Sequence, residues 1–196
     1  GDVYLLALST DNEVRWAREA AQGGVQVREM VSVGGSTFAV ASYRGAAVVG
    51  DETFVTSGTF DVLVMAFDAT GTPQWGRSYG SDDLAPIDHG TGIATDGTNL
   101  IVTGQVAGAI DFGGGELDPT PFMSNYNAFV LELSTTGDYV WSTAFGTSAQ
   151  DGSTESIAVH AGEVYLAAPF TRSLEIGGTM LDALGWEDGV LTRVER

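Results

Sequence analysis

His89 sits in the stretch SDDLAPIDHG, within seven positions of Asp82, Asp83 and Asp88. An imidazole among carboxylates can form half of an acid/base pair or contribute to a cation site. Residue types alone do not carry either reading far. One histidine is not a metal triad, no HExxH or comparable spacing accompanies it, and an acidic loop with an incidental histidine accounts for the same residues. The other histidine, His160, falls in a hairpin turn, where exposure to solvent is expected.

A second acidic stretch, GTSAQDGSTES, carries Asp151 and Glu155, and two longer connections hold Asp111, Glu116, Asp118, Asp182, Glu187 and Asp188. Calcium favours oxygen-rich loops, but a dedicated site takes several ligands from one tight segment, and no DxDxDG-like run occurs. The expectation is therefore weak, dispersed calcium binding, with no dedicated metal site and no cofactor. Glycoside hydrolysis would need two carboxyl groups about 5 to 10 Å apart across a cleft. Nucleophilic catalysis has no GxSxG elbow, no cysteine and only two histidines to draw on. GTGIATDG resembles a phosphate-binding glycine loop only superficially, because a second strand follows where a nucleotide fold would start a helix. No catalytic residue is assigned.

The charge balance narrows the partners. There are 26 acidic residues against 8 basic ones, all arginine, for a net charge of −18. Phosphate binding needs clustered positive charge, so nucleic acid is not expected. Cations and basic partners remain open, and so does the plainer role of keeping a β-rich protein soluble and its sheet edges apart. The absence of cysteine excludes a disulfide scaffold and thiolate-bound zinc. No apolar run is long enough to span a membrane, and GDVYLLALST has no basic region ahead of its apolar residues, so any export signal is expected outside this stretch.

The elements that must position these residues are announced by a repeat. Asp2, Asp61 and Asn127 each open a short apolar strand; Asn12, Gly71 and Gly137 follow ten positions on, and Trp16, Trp75 and Trp141 fourteen on. Asp188 starts a fourth copy. The units run approximately over 2–60, 61–126 and 127–187, with 188–196 beginning the next, and together they make one repeat segment over 1–196. Units of this length built from short strands cannot bury both apolar faces alone and must stack.

Within one unit, DVLVMAFD and PQWGRSYG form a hairpin whose turn glycine supplies a positive φ, and TGIATDG with NLIVTG forms a second around Asp96-Gly97. In this reading Val31, Ile93 and Ile157 align, as do Phe38, Leu100 and Val164. A miniature extended segment follows in each copy (VVG, IDFGGGEL, LEIGGTML). Four antiparallel strands per unit result, thirteen in all, in the order TGIAT, NLIVTG, NAFVLEL, YVWSTAF from the inside out. The fold class is all-β.

DVLVMAFDATGTPQWGRSYGS, NAFVLELSTTGDYVWSTAFG and GIATDGTNLIVTG followed by IDFGGG together resemble the bacterial β-propeller repeat called SBBP, over essentially the whole chain. The resemblance implies propeller blades in a secreted or cell-surface bacterial protein. The first copy departs from the pattern, since VSVGGSTFAVASYRGAAVVGDE lacks both the Asp-Gly turn and the IDFGGG tract.

The periodic tryptophans are expected to pack between repeats. Trp186 lies off their register and, with Tyr126 and Phe60 in similar places, fits either a plug between repeats or an exposed aromatic platform. Asp82, Asp83, Asp88, His89, Asp151, Glu155, Tyr126 and Trp186 are the candidate binding residues, on a loop face expected to be acidic. The function expected is that of a non-enzymatic scaffold or binding module for a protein or carbohydrate ligand. The alternatives are a polysaccharide hydrolase or lyase using carboxylates on that face, and a structural subunit that self-associates through open ends. Expected partners for those ends are further blades of a longer parent chain or a second copy, since two copies give about six blades and propellers close with about 4 to 8.

Overall fold

The computed structural model describes residues 1–81, 87–117, 126–145, 156–176, 178–186 and 188–194. Among them every regular element is a strand, and no helix is long and apolar enough to cross a membrane. β1 (Val3–Leu8) pairs with the first part of β2 (Val14–Val33), and the rest of β2 pairs with β3 (Ser36–Val49). β4 (Glu52–Val55) folds back on the end of β3, which also pairs with β5 (Asp61–Phe67), and β5 pairs with β6 (Pro73–Tyr79). The second sheet runs β7 (His89–Thr95), β8 (Asn99–Val106), β11 (Asn127–Ser134), β12 (Tyr139–Phe145). The third runs β13 (Ser156–His160), β14 (Glu163–Phe170), β17 (Asp188–Val194). Two ribbons, β9 (Ile110–Asp111) with β10 (Glu116–Leu117) and β15 (Ser173–Ile176) with β16 (Thr179–Asp182), occupy the connections into β11 and β17. All strand pairings are antiparallel, in the order read from the sequence.

The sheets stack face to face. β5 and β11 are apolar at nearly every position because both their faces are covered, and each is buried along almost its whole length. Leu63, Met65 and Phe67 join Ala39, Ala41 and Tyr43 against the β1–β2 hairpin, where Val3 and Leu5 pack. Phe38, Val62 and Val64 meet Leu100, Phe129 and Leu131 between the first and second sheets. Ile101 and Val130 meet Ile157, Val164 and Leu166 between the second and third.

The three hairpins that define the repeat share their bonding in detail. In each, the residue at the turn has positive φ, 61° at Asn12, 77° at Gly71 and 83° at Gly137. Its N–H donates to the carbonyl three residues back, at Ser9, Asp68 and Ser134. Each hairpin also carries a register shift just before the tryptophan pair, after Ala7, Ala66 and Glu132, which face Trp16, Trp75 and Trp141. The tryptophans are half-buried, and two of them seat the turn of the following repeat. A Cβ at Gly71 would overlap the Trp16 ring, and one at Gly137 would lie 3.1 Å from Trp75. Trp75 Nε1 donates to Thr135 O at 3.2 Å, and Arg77 lies 5.5 Å over the same ring while its Nε donates to Gly137 O at 3.0 Å. Glycine at those two turns therefore answers to packing as well as to φ.

Two readings of the first copy need correction. Against the expected thirteen strands, the described residues form seventeen, because the miniature segments form strands of their own while two expected strands fuse into the 20-residue β2. Where the later repeats place SDDLAPID or GTSAQDGSTE, the first has AAQGGVQV, which keeps strand pairing with β3 through Gln22↔Val48 and Gly24↔Arg44. A register shift at Gly23, with φ of 100°, bends the strand without ending it. The second correction is a slip of one residue. Strand pairing sets Thr37, Leu100 and Val164 opposite Phe67, Leu133 and Val194, the seventh residues of their repeats, so Thr37 and not Phe38 is the equivalent of Leu100. By the same pairing Val31, opposite Phe38, matches Ala94 rather than Ile93. A shift of one position reverses the face, and Phe38 accordingly points to the second sheet while Leu100 points back at the first.

Candidate functional site

Antiparallel register decides where the connections emerge. Tyr43 faces Asp61, Val62 faces Tyr79, His89 faces Gln105, Asn127 faces Val106 and Ala128 faces Phe145. The strand ends at Tyr43 and Asp61, Tyr79 and His89, Val106 and Asn127, Phe145, and Phe170 and Asp188 therefore lie toward one edge of their sheets, and the short hairpin turns lie toward the other. The first two sheets are tied together at the long-connection edge. Phe60 bridges Ile87, and Asp88 N–H donates to Phe60 O at 2.9 Å.

Asp88 is fully buried at this junction. Its Oδ2 accepts from Ser81 N and Ser81 Oγ, both at 2.7 Å, and its Oδ1 accepts from Ala107 N at 2.8 Å. The carboxylate thus fastens the entry into β7 to the end of β8. Burial raises its pKa above the ordinary aspartate value, the bonds from Ser81 and Ala107 pull the other way, and the charge of nearby Asp61 adds to the rise. Asp61 is itself buried, accepts Ser57 N at 2.9 Å, and lies against Gly80, where a Cβ would overlap its carboxyl group. Asp188, its repeat equivalent, accepts Leu184 N at 2.8 Å. The acidic residue that opens each of these repeats closes the connection four residues before it, a local bond of the kind that gives aspartate its place in turns.

The same holds for other carboxylates read as candidates for a ligand face. Asp111 Oδ1 accepts Gly113 N at 2.7 Å and Gly115 N at 3.0 Å, shaping the β9–β10 ribbon. On the opposite edge Asp68 Oδ1 accepts Thr70 N, Thr70 Oγ1 and Thr72 N, and those bonds, that from Thr70 Oγ1 foremost, hold its pKa below the usual range. Part of the acidic surplus is therefore turn chemistry.

His89 is half-buried with its ring against Phe60, centroids 5.0 Å apart, and its Nδ1 has no hydrogen-bond partner. Burial, with help from Arg28, depresses its pKa below 6.5. Tyr126 is half-buried at the entry to β11, and Trp186 is 92% exposed in the connection before β17, which decides for exposure at that position. Phe60, its supposed counterpart, is instead packed on His89. Asp82, Asp83, Asp151 and Glu155 lie outside the described residues. Of the candidates that are described, Asp88 and His89 are adjacent at the entry to β7, Tyr126 closes the long connection of the same repeat just before Asn127, which pairs with Val106 at the end of β8 that Asp88 holds, and Trp186 belongs to the connection of the next repeat.

Among the described residues no group of three or more His, Asp or Glu side chains is placed to hold a metal ion. Two residues that sequence reasoning passed over hold neighbouring strands together. Glu29 Oε2 accepts Ile93 N at 2.9 Å, linking β2 to β7, and buried Glu132 accepts Asn99 Nδ2 at 2.8 Å across β8 and β11. An acid in the middle of NAFVLEL, at a position the strand pattern assigns to a buried face, was the available signal for Glu132. No family model matches the chain, and no curated protein does.

Proposed function

We propose that the chain is a segment of a bacterial β-propeller repeat protein, secreted or held at the cell surface, that acts as a non-enzymatic scaffold and binding module. In this reading the stacked sheets are blades and the edge bearing the long connections is a ligand-facing rim for a protein or carbohydrate. The observation that carries it is the contrast between the two edges. The hairpin edge keeps the same turn, the same register shift and the same tryptophan seat from repeat to repeat. The opposite edge changes from copy to copy in length and sequence, the pattern of a constant frame with a variable surface. Asp88, Asp111 and Asp188 on that edge already accept backbone N–H groups, which favours a structural role over general acid/base work. Trp186, exposed beside Asp188, is the platform expected to meet ligand.

A panel of immobilised polysaccharides and basic proteins tests this. The expected outcome is binding without release of reducing sugar, weakened roughly tenfold, or about 1.4 kcal/mol, by Trp186→Ala. Calorimetry with calcium should show shallow heats that salt suppresses, because its carboxylates are dispersed. Reducing-end release, or binding indifferent to Trp186→Ala, would replace the proposal.

A further inference from the structure

The outermost strands of the three hairpins hold one place in the repeat and differ in how their edges are guarded. Among the described residues β6 and β12 end their sheets, and β2 from Val14 to Ala21 pairs with β1 alone. Such an edge turns a row of N–H and C=O groups outward, ready to pair with another chain, and charge or proline usually blunts it. In that stretch β2 carries Arg15, Arg18 and Glu19, and β6 carries Arg77 and Pro73, which has no N–H to offer. Strand pairing sets Tyr139 of β12 at the place of Pro73, Thr143 at that of Arg18 and Arg77, and Ala144 at that of Glu19. The seven residues of β12, YVWSTAF, therefore hold neither charge nor proline, and most are types that favour strands. Val140, the extra residue at its register shift, is 45% exposed. An outermost strand keeps this edge whichever repeats flank it, because neighbouring sheets cover faces.

The surroundings of that edge are acidic at one end. Asp138 is exposed immediately before Tyr139. The β9–β10 ribbon sets Gly113 and Gly114 against the Tyr139 side chain, and its Asp111 and Glu116 stand opposite each other, both exposed. Arg77, which reaches the turn before β12, is engaged with Gly137 O and the Trp75 ring. We infer that β12 takes an extended basic segment of another protein as a further strand, antiparallel as in its pairing with β11. Strand-forming residues of that segment lie along Trp141 to Phe145, and its C-terminal end places arginine or lysine beside Asp138, Asp111 and Glu116. Main-chain bonds supply the affinity, and the carboxylates fix the direction. A second copy is the less apt occupant, because two chains of net charge −18 would meet with these same carboxylates at the junction. The inference does not rest on a ligand at the rim.

Fluorescence anisotropy on the 196-residue chain tests it, with a labelled peptide of alternating valine and threonine that ends in two arginines. Binding is expected at low salt and should weaken as salt rises. Methylating the backbone nitrogens of the peptide, or replacing its arginines by glutamates, should abolish binding. Thr143→Arg should weaken it roughly tenfold by guarding the edge as Arg77 does in β6. Two other hairpins already hold arginine at that position, so the change suits the fold. Hydrogen exchange should show new protection at amides within 139–145 when the peptide is bound. No binding, or binding indifferent to backbone methylation, to glutamate or to Thr143→Arg, would overturn the inference. Protection confined to the long connections would overturn it while leaving the rim proposal in place. Protection of 139–145 that grows with the concentration of the chain alone would also overturn it, by assigning the edge to a second copy.

Discussion

The first and second sheets are built on the same frame and differ at one edge. In the second, β6 ends at Tyr79 and β7 begins at His89, with Asp88 buried between them as the acceptor that holds the junction. In the first, β2 runs straight through the corresponding place and the backbone of Gly23 and Gly24 does the holding. Both keep a register shift at matched positions, between Val27 and Glu29 in β2 and between Gly90 and Gly92 in β7. The lesson is that the frame does not depend on the acidic connection. A carboxylate clasp and an uninterrupted ladder are two solutions to one problem, and only the first leaves room for variable sequence.

The comparison can be broken most severely at Gly23. Its φ of 100° and the Ala46 carbonyl against its Cβ position leave no room for a side chain. Gly23→Val is expected to cost about 4 kcal/mol, adding backbone strain of about 1 to 3 kcal/mol to overpacking of similar size. Urea unfolding reads it, and a loss below 1 kcal/mol would show that the ladder is not what holds the first sheet. At the matching junction Asp88→Ala leaves the Ser81 and Ala107 N–H groups without their acceptor. A loss of about 2 kcal/mol is expected, from the usual 1 to 3 kcal/mol for a stranded buried group. An unchanged midpoint would mean that water replaces the carboxylate and that the clasp is dispensable.

The smallest effect is one of pH. His89 has a depressed pKa in the folded chain, so on acidification the unfolded chain takes up this proton first. The stability it contributes is complete above pH 6.5 and is lost as pH falls from 6.5 through the folded value. Asp88 beside it has a raised pKa and acts with the opposite sign, losing stability as pH rises through its own folded value from 3.8 upward. The readout is therefore a difference between chains. His89→Gln should show a shallower fall in stability between neutral pH and about 5 than the parent, and parallel profiles would detach His89 from the junction's energetics.

Strand order and hairpin turns were legible because they rest on residues with few alternatives. Positive φ favours glycine or asparagine, and a strand covered on both faces is apolar almost throughout, so Gly71, Gly137 and DVLVMAF announce themselves. The slip at Phe38 arose where no Asp-Gly marked the turn. With Gly34-Gly35 alone, two registers one residue apart fit the apolar pattern of FAVAS equally well, and only pairing with Phe67 distinguishes them. The site was less legible for a different reason. The letter D does not say whether an aspartate's lone pairs are claimed by backbone N–H groups, as at Asp88, Asp111 and Asp188, or are left for a ligand. Exposure of Trp186 against packing of Phe60 was equally undecided by residue type.

The continuity of β2 also bears on how the chain comes apart. Proteins open locally in cooperative units whose borders usually fall where few backbone bonds cross. Between Tyr79 and His89 such a border exists, because the ladders of β6 and β7 are separate. Within β2 there is none: the residues that pair with β1 and those that pair with β3 belong to one unbroken run of backbone. The N-terminal hairpin and the first sheet therefore open and close as a single unit, and the amides from Val14 to Val33 share one protection class across what the sequence marks as a boundary between repeats.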